Sequence, residues 1–132
     1  MKEIDKLAWI FIKDKKILGA RSKGKDTYYI PGGKREVGET DQAALIREIK
    51  EELSIELKPE TLEYIATFKA QAHGRSVGTQ VKMTCYLAEF SGEIRANAEI
   101  EAVKWLGYQD KQNCSLVSSK IMEWLYSQGQ IV

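Results

Sequence analysis

The stretch REIKEEL, residues 47–53, sets three glutamates and an arginine within seven positions. At 3.6 residues per turn, side chains at i, i+3 and i+4 share one helix face. Glu48, Glu51 and Glu52 hold that spacing, and Leu45, Ile49 and Leu53 make a second stripe. The stripes lie well apart round the cylinder, so one side of a helix is buried while the other gathers carboxylates. Arg47 stands four residues before Glu51. An exposed pair of that kind offsets only about 0.2–0.5 kcal/mol of repulsion. Two readings follow: a solvated acidic face, or a site for a divalent cation. Mg²⁺ takes one or two carboxylates together with waters and substrate phosphates. What flanks the helix decides between them.

Just upstream, PGGKREVGE (residues 31–39) is rich in glycine. Glycines permit positive φ and let backbone N–H groups approach an anion closely. Glu39 precedes the helix, and a tight loop swings its carboxylate back toward Glu51 and Glu52. Thr40 or Asp41 caps the helix, which runs to about Leu53. Further back, residues 7–12 are apolar strand formers, KDKK reads as a turn, and ILGAR as the returning arm of a hairpin. Tyr28, Tyr29 and Ile30 form a short strand stopped by Pro31-Gly32-Gly33. Beyond the helix, strands are expected over residues 62–72, 81–90 and 102–106, with HGRSVG as a flexible loop between the first two. Asn113 or Ser115 caps a last helix, whose buried stripe is Val117, Ile121, Trp124 and Leu125. The order strands, helix, strands, helix predicts an α/β fold with a mixed β-sheet between helices.

The 132 residues make one domain, residues 1–132, with a real core and no room for a second. Apolar residues at 43% and charged residues at 30% place the chain among soluble globular proteins. A net charge of +1 gives no broad basic field for a nucleic acid polymer, whereas small phosphorylated ligands need only local charge. Cys85 and Cys114 make a weak case for a disulfide, and there is no Cys/His cluster of metal-binding type. MKEIDK carries acids and no apolar segment, so it does not read as a signal peptide. LAWIFI is far too short to span a bilayer. The reducing cytoplasm is the expected compartment.

Gly33, five residues, Glu39, seven residues, Arg47-Glu48-Ile49, one residue, Glu51-Glu52, one residue, Ser54-Ile55: this series resembles the Nudix box, with serine at 54 where the box has glycine. A lone Glu-x-x-Glu-Glu would carry little; the full spacing over residues 33–55 is specific. The flanking strands and last helix are compatible with the family's α/β/α sandwich. A glycine past a last helical turn commonly adopts αL geometry. Ser54 costs roughly 1–2 kcal/mol if that geometry is kept; otherwise the turn opens differently. Ser54 supplies no metal oxygen in the family, so the chemistry need not be lost.

The resemblance implies Mg²⁺-dependent hydrolysis, with Mn²⁺ as a substitute, of a nucleoside diphosphate linked to a moiety X. By position it implies Glu51 and Glu52 as direct metal ligands and Glu48 as a further ligand or the general base. Glu39 joins directly or through water, and Arg47 orients carboxylates. Glu99, six residues before Trp105, resembles an additional acidic ligand of MutT-like members, with Glu101 and Glu93 as competitors. Gly32, Gly33 and Lys34 in the loop, and Arg21 and Lys23 on the strand before it, are candidates for phosphate contact. For the basic side chains a plain surface role competes. His73, the one histidine, reads as structural or substrate-adjacent, and Trp9, Trp105 and Trp124 as core. One of Tyr28 and Tyr29 lines the pocket. Residues 70–73 lack the proline or tyrosine of some other members, which leans toward a small MutT-like enzyme. Its expected substrates are nucleoside triphosphates, damaged ones among them, cleaved to monophosphate and pyrophosphate. The alternatives are a non-hydrolytic nucleotide- or metabolite-binding regulatory module on the same fold, and a purely structural acidic helix. The expected partner is a small phosphorylated substrate, not a nucleic acid or a membrane, and a homodimer is left open.

Overall fold

A computed structural model describes residues 2–72 and 78–132. The strands are β1 (Lys2–Trp9), β2 (Ile12–Lys13), β3 (Lys16–Ser22), β4 (Tyr28–Tyr29) and β5 (Gly32–Lys34), followed by helix α1 (Asp41–Leu53). Then come β6 (Glu56–Leu57), β7 (Glu63–Gln71), β8 (Thr79–Leu87), β9 (Phe90–Ser91), β10 (Ile100–Leu106) and helix α2 (Leu116–Ser127). One sheet has the order β5-β1-β8-β7 and is mixed, because β1 and β8 run parallel. A second has the order β10-β3-β2, with β4 also on β3, and β6 pairs with β9 in a short ribbon.

The residues of β1 explain the layering. Leu7 and Trp9 pack with Ala44, Leu45, Ile49 and Leu53 of α1. Ala8 and the following Ile10 pack in a separate cluster with Val117, Ile121, Met122 and Leu125 of α2. Side chains of a strand alternate between faces, so one apolar run feeds both layers. On β3, Leu18 and Ile17 divide in the same way. The mixed sheet therefore lies between the two helices, as predicted.

Helix α1 begins and ends as its sequence directs. Thr40 accepts a hydrogen bond from the Ala43 N–H at 3.1 Å. Ser54 closes the helix at φ 62° and ψ 28°, with its N–H on the Lys50 carbonyl at 3.0 Å. The serine thus keeps the αL geometry that glycine would adopt freely. Ser54→Gly relieves that cost, less the entropy of a freer unfolded chain. The expected gain is about 0.5–1 kcal/mol, read as a Tm higher by a few degrees; a lower Tm contradicts it.

Several expectations are corrected. Residues 7–12 do not form one hairpin arm. Leu7–Trp9 ends β1, paired with β5 and β8, and only Ile12 and Lys13 pair with β3. The Ile10 N–H still donates to Tyr86, whereas the Phe11 carbonyl accepts from Leu18, so the chain changes sheets there. Asp14 and Lys15 make the turn at φ 51° and 60°, the sign that two-residue hairpin turns require. β1 also starts earlier, at Lys2, because its charged half is held by parallel pairing from Lys2↔Thr79 onward. The 81–90 run splits, since Phe90 leaves β8 to join β6. β10 begins at Ile100, ahead of the expected 102. Trp9 is fully buried, but Trp105 is 40% exposed, its ring edge-on to Phe11 at 5.3 Å. Cys85 and Cys114 are free and buried. His73 lies outside the described residues. Among those described, no helix is long and apolar enough to cross a membrane.

Candidate active site

The glycine segment expected as a loop is partly strand β5, pressed between β1 and α1. Its two glycines are needed for different reasons. Gly32, at φ 149°, lies so close to β1 that a Cβ would stand 1.9 Å from the Leu7 carbonyl oxygen. A Cβ at Gly33 would stand 2.3 Å from the Glu48 carboxyl group. The first glycine admits backbone and the second makes room for an acid. The Gly32 N–H also donates to Glu52 Oε1 at 3.3 Å, so the predicted approach of amide to anion is realised with a carboxylate of the chain itself.

Arg47 answers the repulsion in REIKEEL. Its Nε and Nη2 grip the two oxygens of Glu39 at 2.7 and 2.8 Å. Nη1 donates to Glu48 at 2.9 Å and lies 3.5 Å from Glu51, while Nη2 also reaches the Lys34 carbonyl at 3.1 Å. A two-pronged guanidinium–carboxylate pair of this kind fixes geometry as well as charge. It holds the Glu39 carboxyl down at about 2, helped by the Glu36 N–H. Arg35 pins the same loop to the sheet through Asp5 at 3.1 Å and to the start of α1 through Asp41.

Glu52 faces the other way. It is 4% exposed, and burial, reinforced by Glu48 and Glu99, pushes its pKa up to about 8 against the opposing Gly32 N–H and Lys6. Burial raises Glu48 as well, and Arg47 pulls it back. Glu48, Glu52 and Glu99 line one cavity of about 900 Å³ with Lys6, Lys34 and Gly33. Glu99 is carried there by β3, since the Lys23 N–H donates to its carbonyl at 2.8 Å.

Gly32 lines it as well, whereas Glu39, Glu51, Arg47 and Arg21 stand outside that lining. Glu51, with its side chain 55% exposed, and Glu39 are on the Arg47 side. Arg21 is turned away from the cavity: it donates to Glu101 at 2.9 Å and to the Lys25 carbonyl at 3.0 Å, with its guanidinium over the Tyr28 ring. That also occupies Glu101, and Glu93 pairs loosely with Arg95 at 3.5 Å on the surface. Of the two tyrosines, Tyr29 lines the cavity. Lys6 and Ser22 are lining residues that sequence reading missed. The signal for Lys6 was its alternation with Ile4 and Ala8, legible only once MKEIDK is known to be strand.

Among the described residues no three His, Cys, Asp or Glu side chains converge into a ready-made metal cage. The donor set nevertheless fits a hard divalent cation. It offers carboxylate oxygens alone, one on a buried acid with a single long amide contact, and Mg²⁺ needs only one or two protein carboxylates beside water and phosphate.

A mixed sheet between helices, with acids and lysines lining one cavity, suits a class of enzyme that handles phosphates. The family model for the NUDIX domain matches residues 5–125. Over 125 residues the chain is 30% identical to the CTP pyrophosphohydrolase of Escherichia coli (strain K12), covering 92% of this chain and 88% of that protein. The MutT NUDIX hydrolase from Burkholderia pseudomallei superposes with a TM-score of 0.75 at 26% identity, over 93% of this chain and 98% of that one. A bifunctional NMN adenylyltransferase/ADP ribose pyrophosphatase from Francisella tularensis, solved with AMP and a manganese ion, gives 0.68 at 26% identity, over 96% of this chain and 42% of that one. The chain belongs to the Nudix family, as a MutT-like pyrophosphohydrolase.

Proposed function

We propose that residues 1–132 act as one domain that hydrolyses nucleoside triphosphates, damaged ones among them, to the monophosphate and pyrophosphate. The observation that carries this reading is the mixed lining of one cavity: Glu48, Glu52, Glu99, Lys6 and Lys34 share it with aliphatic side chains, among them Val81, Met83, Leu116 and Val117. A polyphosphate suits the charged side chains and a nucleobase the aliphatic ones. Glu52 and Glu48, with Glu51 beside them, would hold Mg²⁺ or Mn²⁺. Once bound, such a cation neutralises phosphate charge and makes water a better nucleophile. Lys6 and Lys34 would meet phosphate oxygens. Glu48 or Glu99, both of which line the cavity, would accept the proton of the attacking water when not engaged as a ligand. Arg47 holds Glu39 and Glu48 from behind, so the acids keep their places. The CTP pyrophosphohydrolase among its relatives supports a nucleotide substrate, and the manganese and AMP of the Francisella structure support a divalent cation beside it. Two buried free thiols suit a reducing cytoplasm.

The test is a panel of ribo- and deoxyribonucleoside triphosphates, oxidised nucleotides and nucleoside diphosphate conjugates, incubated with the protein and Mg²⁺ and resolved by chromatography. Monophosphate and pyrophosphate are expected from at least one triphosphate, with chelator abolishing the reaction. If nothing on the panel turns over at high enzyme concentration, the reading fails.

A further inference from the structure

Tyr29 and Ser22 are cavity residues that neither the acids nor the lysines account for. β4 runs antiparallel to β3 with Tyr29 opposite Ala20, so Ser22, two residues further along, presents to the same face. Such a diagonal neighbour is within reach of a long side chain. The Tyr29 hydroxyl and Ser22 Oγ lie 3.0 Å apart, in a hydrogen bond that either can donate. The chain just after Tyr29 is tied to both helices. The Ile30 N–H donates to Ser118 of α2 at 3.0 Å, and the Gly32 N–H to Glu52 of α1. Tyr29 therefore shares the cavity with Glu48, Glu52 and Glu99, while the next residue, Ile30, packs with Val81, Met83 and Val117, aliphatic residues of the same lining. Burial, and then the nearby Glu52, raise its pKa well above the ordinary phenol value, so the hydroxyl stays a donor.

Two hydroxyls that share one hydrogen bond keep one proton to donate and several lone pairs to accept with. That equipment suits a group that both donates and accepts. Phosphate oxygens only accept, and the cations of the lining suited to them are Lys6, Lys25 and Lys34. A sugar hydroxyl does both, and in a nucleotide the sugar lies between phosphate and base, as Tyr29 lies in a cavity lined both by acids and lysines and by the aliphatic neighbours of Ile30. We propose that Tyr29 and Ser22 contact the 2′-hydroxyl of the bound nucleotide's sugar and make the enzyme favour ribonucleotides over 2′-deoxyribonucleotides. The inference rests on the nucleotide-hydrolase reading above.

The experiment measures kcat/KM for CTP with dCTP, and ATP with dATP, in wild type, Tyr29→Phe and Ser22→Ala, with melting temperatures to confirm folding. Wild type is expected to favour the ribonucleotide of the better pair. Tyr29→Phe keeps the ring and should cost about threefold to tenfold on the ribonucleotide and little on the deoxy form. Ser22→Ala should move the ratio in the same direction by a smaller factor. Equal losses on both sugars would place the dyad away from the 2′-hydroxyl and overturn the proposal, as would a wild-type ratio of one or unchanged kinetics in both variants. Failure of wild type to cleave any nucleotide would instead overturn the hydrolase reading, and this inference with it.

Discussion

Glu52→Gln is expected to lower turnover about a thousandfold, equivalent to roughly 4 kcal/mol of lost transition-state stabilisation, while the protein stays folded. The side chain keeps its length and its acceptor for the Gly32 N–H, and loses only the charge. Stability separates this from simple damage. In the metal-free protein Glu52 titrates at about 8 against an ordinary 4.5, because it is buried beside Glu48 and Glu99. The folded state therefore keeps a proton that the unfolded chain has released. The stability this contributes is complete below about 4.5 and declines as pH rises through 8. Glutamine does not titrate, so the variant lacks that decline. Measured with chelator between pH 5 and 9, Tm of wild type relative to the variant should fall as pH rises. Adding Mg²⁺ or Mn²⁺ at the alkaline end should raise wild type more than the variant, since a ligand of the native state stabilises it and here favours the deprotonated acid. A variant of unchanged turnover, or parallel pH curves, would remove Glu52 from the role assigned to it.

What the sequence disclosed follows from how local its causes are. Helix α1 is written in its own residues: the Thr40 cap, the Leu45–Ile49–Leu53 stripe, and the turn at Ser54, whose αL geometry was one of two outcomes left open. Val117, Ile121 and Leu125 of the α2 stripe were legible for the same reason, although Trp124 is only partly buried, Met122 is buried in addition, and Ser115 was one of two caps offered. Strands were less so, because pairing partners decide them. Lys2 to Lys6 carry four charges in five residues and are strand only because β8 lies alongside. Gly32–Lys34 reads as a turn in any local window and is strand because β1 accepts it. The site shows the same division. Glu48 and Glu52 could be placed together from helix geometry. The removal of Arg21 to Glu101 could not, since it depends on β10 pairing with β3 eighty residues away. Nor could the arrival of Ser22 in the cleft, or the choice of Tyr29 over Tyr28, which need the register of β3 against β4.

The paired glycines give the sharpest contrast between fold and chemistry. Gly32→Ala puts a Cβ 1.9 Å from the Leu7 oxygen and 2.9 Å from the Ala8 Cα, at a φ of 149° that side chains rarely adopt. Those atoms are backbone in the middle of a sheet and cannot yield cheaply. The expected loss is about 3 kcal/mol, a Tm lower by roughly 10 °C. Gly33→Ala meets the far end of a flexible side chain, the Glu48 carboxyl, at 2.3 Å. Glu48 can swing aside, so the protein should melt close to wild type. A displacement on that scale at a reacting centre is worth about a hundredfold in rate. Full activity in Gly33→Ala would mean that the position of Glu48 does not matter to catalysis. Near-native melting in Gly32→Ala would mean that β5 does not press on β1 as described. The mechanism of the Gly33 effect can itself be checked, because displacing Glu48 and neutralising it should not add. Gly33→Ala combined with Glu48→Gln is expected to be no slower than Glu48→Gln alone, whereas a multiplied loss would mean that the new methyl acts on something else in the cleft.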